Sequence, residues 1–236
     1  MSSNDSKPEQ TEHLGLGISA AIGAILMFTL MNVFAKYLSS NHSVIEIAFY
    51  RNLVACIPFL AAIFLFNRRN ILVIQKKPRL VAARATLGVV TLLLTFSAYS
   101  LMPMAETTVL LFASSLFIPV LGVLILKERV GAYRWTAVLT GFLGVAIMAN
   151  LTGDANSLGV TIALSAALMQ AFMSILLRHL GGHERPETVT FYFFVIGTFL
   201  TGLALPFVAN TPTVAEIPLF FGVGLCGAVA PVSYTH

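Results

Sequence analysis

The chain has 236 residues, of which 57% are apolar and only 10% are charged, and its formal net charge is +4. A soluble domain usually carries about 25% charged residues, so this composition excludes an ordinary water-facing surface. The two cysteines lie in apolar runs without metal or redox spacing, and the sequence contains no nucleophile elbow or phosphate-binding loop. We therefore expect an all-α polytopic membrane helix bundle that is not an enzyme and needs no cofactor or metal.

Eight apolar runs separated by short polar connections are candidates for membrane spans, since about 20 apolar residues cross the hydrocarbon core of a bilayer. Before the first run, residues 1–13 are polar, and we expect them to be disordered. The predicted spans are 14–38, 47–66, 80–101, 104–126, 132–150, 157–177, 187–209 and 217–235.

The fourth predicted span contains a proline well inside its apolar run. Pro119 removes one helical hydrogen bond and clashes with the carbonyl of Ser115. A proline-interrupted helix of this kind often lines a substrate path, but a kinked helix that serves only packing explains the sequence equally well. The charged turn at 127–134 then separates this span from the fifth.

Basic residues concentrate in three alternate connections, whereas the connections between them contain none. Because lysine and arginine mark the cytoplasmic side, the pattern predicts an inner-membrane protein with a cytoplasmic N-terminus. The basic connections are 67–79, 127–134 and 178–186.

The chain also repeats itself at a constant offset. Segment 17–50 aligns with 159–192 without gaps, and Lys36 falls on Arg178. Because the second copy starts after five spans, an odd number, it is inverted relative to the first, which is a recurring plan in transporters. The identical pairs are Gly17/Gly159, Ala21/Ala163, Ala24/Ala166, Met27/Met169, Met31/Met173, Leu38/Leu180, Phe49/Phe191 and Tyr50/Tyr192.

Several short motifs occur within the predicted spans or at their ends. They are Phe49-Tyr50-Arg51, Arg84-x-x-x-Gly88, Ala105-Glu106-Thr107-Thr108, Pro119, Lys127-Glu128-Arg129, Trp135 and Gly141-x-x-Gly144-Val145. In this order the chain resembles the EamA-domain members of the drug/metabolite transporter superfamily. The first copy is most similar to carriers grouped with S-adenosylmethionine uptake proteins. The resemblance implies ten spans in two five-span copies.

Relative to that plan, the second copy is incomplete. We expect residues 14–150 to form the first copy and residues 157–236 to hold about three spans of the second. The chain is therefore expected to be a fragment without counterparts of the fourth and fifth spans, and a complete eight-span protein is the alternative.

Two polar stripes lie on corresponding spans of the two copies. Their spacing of three and four residues places each stripe on one helix face, and polar groups in a span usually face the bundle interior. We expect the stripes to mark equivalent ends of one path, whereas basic side chains that extend to the lipid interface are the alternative. The residues are Thr29, Asn32 and Lys36 in the first span and Gln170, Ser174 and Arg178 in the sixth.

Two arginines lie about one turn inside their spans, near opposite faces of the membrane. Arg51 and Arg84 are candidates for binding an anionic group of a substrate. Alternatively, Arg51 pairs with Glu46 or Glu106, which lie toward the same side.

Aromatic residues offer a further candidate surface. Phe96 and Tyr99 in the third span and Tyr192 in the seventh are candidates for the wall of a substrate cavity. Ordinary packing or lipid contact is the alternative.

Together these features favour a secondary transporter that moves a small organic metabolite by alternating access. The sequence has no nucleotide-binding motif and no acidic residue near a span centre, only Glu106 near a span end, which leaves exchange or facilitated movement open. A non-transporting membrane scaffold and a membrane-embedded transferase are the alternatives. The expected partners are a small metabolite and the lipid bilayer, and no nucleic acid is expected. Whether the chain forms a homodimer is left open by the sequence.

Overall fold

The computed structural model describes residues 8–74, 77–127, 131–151, 157–180, 184–208, 210 and 212–233. Within these residues the regular structure is entirely helical, which confirms the predicted fold class. Two short 3-10 turns cover Arg69–Leu72 and Leu205–Phe207. The α-helices are α1 Pro8–Leu38, α2 Val44–Leu65, α3 Pro78–Leu101, α4 Met104–Phe112, α5 Ser114–Leu126, α6 Ala132–Leu151, α7 Ser157–Leu180, α8 Pro186–Ala204 and α9 Ile217–Ser233.

Most of these elements are long and apolar enough to cross a bilayer. In the described part of the chain, six helical segments meet that criterion, and α4 with α5 counts as one of them, Met104–Leu126. The apolar segments Ala132–Met148 and Ile217–Ala228 are shorter. Eight spans were predicted, and these two shorter segments belong to the fifth and the eighth of them.

The outward faces of the helices carry large apolar side chains. Phe64, Phe199 and Phe207 are 65–88% exposed, which would be unfavourable in water but suits contact with lipid. Together with the helix lengths, these faces identify a multi-pass membrane protein.

The N-terminal segment differs from the prediction. α1 begins at Pro8, so residues 8–13, which were expected to be disordered, are helical. Residues 1–7 lie outside the described part, as do residues 128–130 of the predicted charged turn and residues 234–236. At the start of that turn Lys127 adopts a left-handed conformation with φ of 54° and its backbone amide bonds to the Gly122 carbonyl, which ends α5.

The fourth predicted span is interrupted, but not where the proline lies. α4 ends at Phe112 and α5 begins at Ser114, with Ala113 between them. Pro119 lies inside α5, where nearby Leu121 packs with Ala171 and Ile175 of α7. These contacts favour the packing interpretation of this helix.

The helix packing repeats with the same offset as the sequence. α1 packs along α9, α3 along α7, and α2 along α8, while α2 also contacts α9 and α3 also contacts α8. The alignment of 17–50 with 159–192, continued along the chain, converts α1, α2 and α3 into α7, α8 and α9. The same offset therefore relates the α1–α9 contact to the α7–α3 contact, and the α2–α9 contact to the α8–α3 contact.

Helix directions follow from residues that meet across these pairs. α1 is antiparallel to α9, α9 is parallel to α2, α2 is antiparallel to α8, α8 is parallel to α3, and α3 is antiparallel to α7. α1 and α7 therefore run in opposite directions, as an inverted repeat needs. The meeting residues are, in the same order, Phe34/Gly222 and Met31/Gly227, Tyr50/Phe220 and Val54/Gly224, Phe49/Gly202 and Asn52/Gly197, Gly88/Phe193 and Val89/Gly197, and Met102/Gly159 and Ala98/Ala163.

Candidate functional site

Two arginines from different helices converge on one aromatic ring. The guanidinium carbon of Arg51 lies 5.4 Å from the centre of the Phe193 ring, and that of Arg84 lies 5.3 Å from the same centre. Arg51 also lies 5.4 Å from the centre of the Phe194 ring. Distances below about 6 Å place both cations within cation–π range.

Helix directions explain how these side chains meet. α2 and α3 are antiparallel, and at 1.5 Å per residue Arg51 and Arg84 each lie roughly 10 Å from the start of their helices. Their backbones are therefore near opposite ends, as predicted, but their long side chains extend toward each other and reach Phe193. The ring belongs to α8, so the site combines two helices of the first copy with one of the second.

Two glycines make room for this arrangement. A Cβ atom at Gly88 would lie 2.8 Å from the Phe193 ring and 3.1 Å from Nη1 of Arg84. A Cβ atom at Gly227 would lie 2.9 Å from Nε of Arg51. Side chains at these two positions would displace the groups that form the site.

The hydrogen-bonding capacity of the two arginines is only partly used. Nη1 of Arg51 donates to the amide oxygen of Asn52 over 2.9 Å. Among the described residues, Nε of Arg51 and both Nε and Nη1 of Arg84 are buried without a hydrogen-bond partner. Neither guanidinium lies within 4 Å of a carboxylate in the described part of the chain.

The alternative pairing of Arg51 with Glu46 is wrong, because Glu46 contacts His42 and the Asn210 backbone amide instead. Arg51 is 7% exposed, and buried cations in a membrane protein normally have a partner. The site thus presents free N–H donors and positive charge, which suits a carboxylate or phosphate group.

The predicted residue Lys36 has a different setting. Its ammonium group donates to the backbone carbonyls of Tyr99 and Met102, at 3.1 Å in the second case. These carbonyls belong to the end of α3, where helical partners are missing. Lys36 therefore caps α3.

The predicted aromatic wall is part of the packed core. Phe96 and Tyr99 are each 2% exposed and cluster with Met31 and Leu92. The Tyr99 hydroxyl lies 3.2 Å from the Thr108 hydroxyl. These contacts favour the packing interpretation for both rings.

The remaining candidates occupy separate positions. Asn32 is buried, and its Oδ1 atom has no hydrogen-bond partner within the described ranges. In α7, the Ser174 hydroxyl donates to the Gln170 carbonyl. Tyr192 donates from its hydroxyl to the Leu72 carbonyl over 3.0 Å, which joins α8 to the 3-10 turn before α3.

Sequence reasoning missed Phe193 and Asn52 as components of the site. One signal was present, since Phe193 is the counterpart of Arg51 in the alignment of the two copies. These two aligned residues, one on α2 and one on α8, contact each other in the structure.

Comparison with known proteins identifies the family. The sequence model of the EamA-like transporter family matches residues 15–150. A riboflavin transporter of Rhizobium johnstonii is 31% identical over 223 residues, which span 89% of this chain and 72% of the relative. A pseudopaline exporter of Pseudomonas aeruginosa is 23% identical, with 93% and 77% covered. An S-adenosylmethionine uptake transporter of Rickettsia bellii is also 23% identical, with 91% and 73% covered.

A solved crystal structure agrees with this assignment at the level of the fold. It covers 92% of this chain and 78% of its own, with a TM-score of 0.64 and 18% identity. The relationship to the drug/metabolite transporter superfamily, expected from the sequence motifs, is confirmed by the named relatives. Because the family model matches more than half of the residues, the chain belongs to the EamA-like transporter family.

Proposed function

We propose that the chain is a secondary transporter that moves a small organic metabolite across the inner membrane, and that Arg51 and Arg84 bind an anionic group of this metabolite. The observation that carries the proposal is the pair of cations at Phe193, with buried N–H donors that have no partner among the described residues. A carboxylate or phosphate would accept from these donors and neutralise the charge.

The location of the pair supports transport by alternating access. Residues 14–150 and 157–236 are the proposed copies, and the site takes Arg51 and Arg84 from the first and Phe193 from the second. A substrate held between two inverted copies is exposed to either side when the copies rock against each other. The basic connections favour a cytoplasmic N-terminus.

The names of the relatives support a metabolite as cargo. They include a vitamin, a compound named pseudopaline and S-adenosylmethionine, and both uptake and export. For this chain we propose that the cargo is an organic carboxylate or a phosphate ester, the chemical class that the site would bind. The transport measurement then distinguishes uptake from export.

Binding tests this proposal before any transport assay. Purified protein in detergent is heated with mono- and dicarboxylates, phosphate monoesters, riboflavin and S-adenosylmethionine, each organic acid being matched by its neutral amide or ester. A bound ligand raises Tm by an amount that grows with its concentration relative to its Kd. We expect acids but not their neutral partners to raise Tm, and compounds that do so then enter uptake and efflux assays in proteoliposomes.

Variants locate the binding. Arg51→Gln and Arg84→Gln each remove a charge-assisted hydrogen bond, which contributes about 1.5–3 kcal/mol, so the Kd of the acid should rise about 10- to 100-fold. Arg79→Gln is the matched control, because Arg79 also lies on α3 but is exposed. Equal binding of acid and neutral partner, or equal loss in Arg79→Gln, would contradict the anion site.

A further inference from the structure

A buried histidine joins the two copies at one end of the bundle. His42 lies in the turn between α1 and α2 and is 7% exposed. Its Nδ1 atom is 3.2 Å from Oε1 of Glu46, at the start of α2, and its Nε2 atom is 3.0 Å from Oε2 of Glu216, directly before α9. The edge of the Phe220 ring packs against the imidazole, with 5.1 Å between ring centres.

The proximity of both ring nitrogens to carboxylate oxygens, at 3.2 Å and 3.0 Å, favours the protonated imidazole. A neutral imidazole has one N–H and one lone pair, so one of its nitrogens would face a carboxylate oxygen with a lone pair. The imidazolium has two N–H groups and matches both carboxylates. A proton on His42 therefore holds two negative charges together in a buried place.

Neighbouring groups complete this contact between the copies. The Asn41 amide donates to Oε1 of Glu216 over 3.3 Å, and the Asn210 backbone amide approaches Oε2 of Glu46 at 3.3 Å. The Thr213 backbone amide donates to Glu216 over 2.9 Å. On the α1 side, the nearest cation along the chain, Lys36, is bonded to the end of α3.

At the opposite end of the bundle, a related contact has a glutamate at the position equivalent to His42. The alignment of the copies converts His42 into Glu184, in the turn between α7 and α8. Glu184 is buried, and its Oε1 atom accepts from the Lys77 backbone amide over 2.8 Å, directly before α3. Each turn thus contacts the segment that precedes the third helix of the other copy, but of these two contacts only that of His42 joins a histidine to two carboxylates.

We propose that His42, Glu46 and Glu216 form a proton-binding latch, which closes one end of the transporter when His42 is protonated and releases it when the proton leaves to water. Without the proton, Glu46 and Glu216 lose the cation between them and repel each other, so the α1–α2 turn separates from Asn210 and residues 212–216. The proton is then a ligand of the transport cycle, although the sequence offered no acid near a span centre. Glu216 and Asn41 are partly or fully exposed and give water access to the cluster.

The surroundings of His42 set the direction of its titration. Burial lowers the pKa of His42, but its interactions with the Glu216 and Glu46 carboxylates outweigh that effect and raise the pKa above its ordinary value. The closed form should therefore persist to a higher pH than an ordinary imidazole allows, and open as the pH rises through the raised pKa of His42. Hydrogen bonds from Thr213, and also from His42 and Asn41, lower the pKa of Glu216 to about 2. Glu216 therefore stays charged over the pH range in which His42 loses its proton.

Electron paramagnetic resonance measures the opening directly and needs no substrate, so failure of the latch would leave the anion site untouched. Spin labels are attached at Ser40→Cys and Val214→Cys, which are both exposed, in protein with Cys56→Ala and Cys226→Ala. We expect the distance between the labels to lengthen between pH 6 and pH 9. A second pair, Asn70→Cys and Arg185→Cys, reports on the opposite end and should change much less.

Two variants assign the effect to the cluster. His42→Gln should abolish the pH dependence, with the long distance at every pH. Glu216→Gln leaves one carboxylate on His42 and should move the midpoint to lower pH, which keeps the test usable if His42→Gln does not fold. A distance that is constant in native protein, a transition that survives in His42→Gln, or an equal change at both ends would overturn the latch.

Discussion

Removing the Phe193 ring should cost far more stability than removing a similar ring from the lipid-facing side of the same helix. Phe193 contacts two guanidinium groups, at 5.4 Å and 5.3 Å from its centre. A desolvated cation–π contact contributes about 2 kcal/mol and an exposed one about 0.5–1 kcal/mol. Since Arg51 keeps its contact with Phe194, we expect Phe193→Leu to lower the unfolding free energy by about 1–4 kcal/mol.

Titration with sodium dodecyl sulfate, followed by circular dichroism at helix wavelengths, measures this free energy in mixed micelles. Phe199→Leu is the matched control, because Phe199 lies on α8 and is 65% exposed. Its cost should stay within about 0.5 kcal/mol, as is usual for exposed positions. Combining Phe193→Leu with Arg84→Gln in a double-mutant cycle isolates the contact between them, for which we expect a coupling of about 0.5–2 kcal/mol. A coupling of zero, or equal costs for the two leucine variants, would refute the stacked arrangement.

Three further predictions concern packing, capping and pH. Gly224→Ala should destabilise the protein by about 1–3 kcal/mol, because the new Cβ would lie 2.4 Å from Cβ of Val54; Gly144→Ala, with open space around it, should not, as the same detergent titration would show. Lys36→Met should cost about 1.5–3 kcal/mol by leaving the α3 carbonyls without their charged donor, whereas Lys36→Arg should retain most of the stability, and equal losses would contradict the capping role. Since the pKa of His42 is raised in the folded protein, its contribution is complete below about pH 6.5 and is lost as the pH rises through the folded pKa, so Tm should fall over that range in native protein but stay level in His42→Gln.

Hydropathy predicts the helices of this chain well because a bilayer permits few backbone conformations. A segment in hydrocarbon must satisfy its own backbone hydrogen bonds, so apolar length and helix limits coincide. The third span was predicted to cover 80–101, and α3 covers Pro78–Leu101. The break at Ala113 was not predicted, because the proline at 119 gave a stronger local signal.

The contents of the site depended on contacts that no local pattern encodes. Arg51 and Arg84 were both predicted candidates, but their meeting at Phe193 requires the directions of α2, α3 and α8 together. Lys36 was predicted to mark one end of a substrate path, whereas in the structure its ammonium group donates to carbonyls at the end of α3. His42 was passed over, because it lies in a turn and its second carboxylate, Glu216, is distant in the sequence.

The two copies share their packing but differ in chemistry where the proposals lie. In their alignment Arg51 corresponds to Phe193, so a cation is replaced by an uncharged ring. His42 corresponds to Glu184, so a group that can carry a positive charge is replaced by a carboxylate. An arginine at both Arg51 and its counterpart would place two cations in contact, whereas a cation and a ring attract each other. The same reasoning applies at the ends, where a histidine at both His42 and its counterpart position would make both contacts titrate together. Because the counterpart is Glu184, the proposed latch places the proton at the end of the bundle that holds His42.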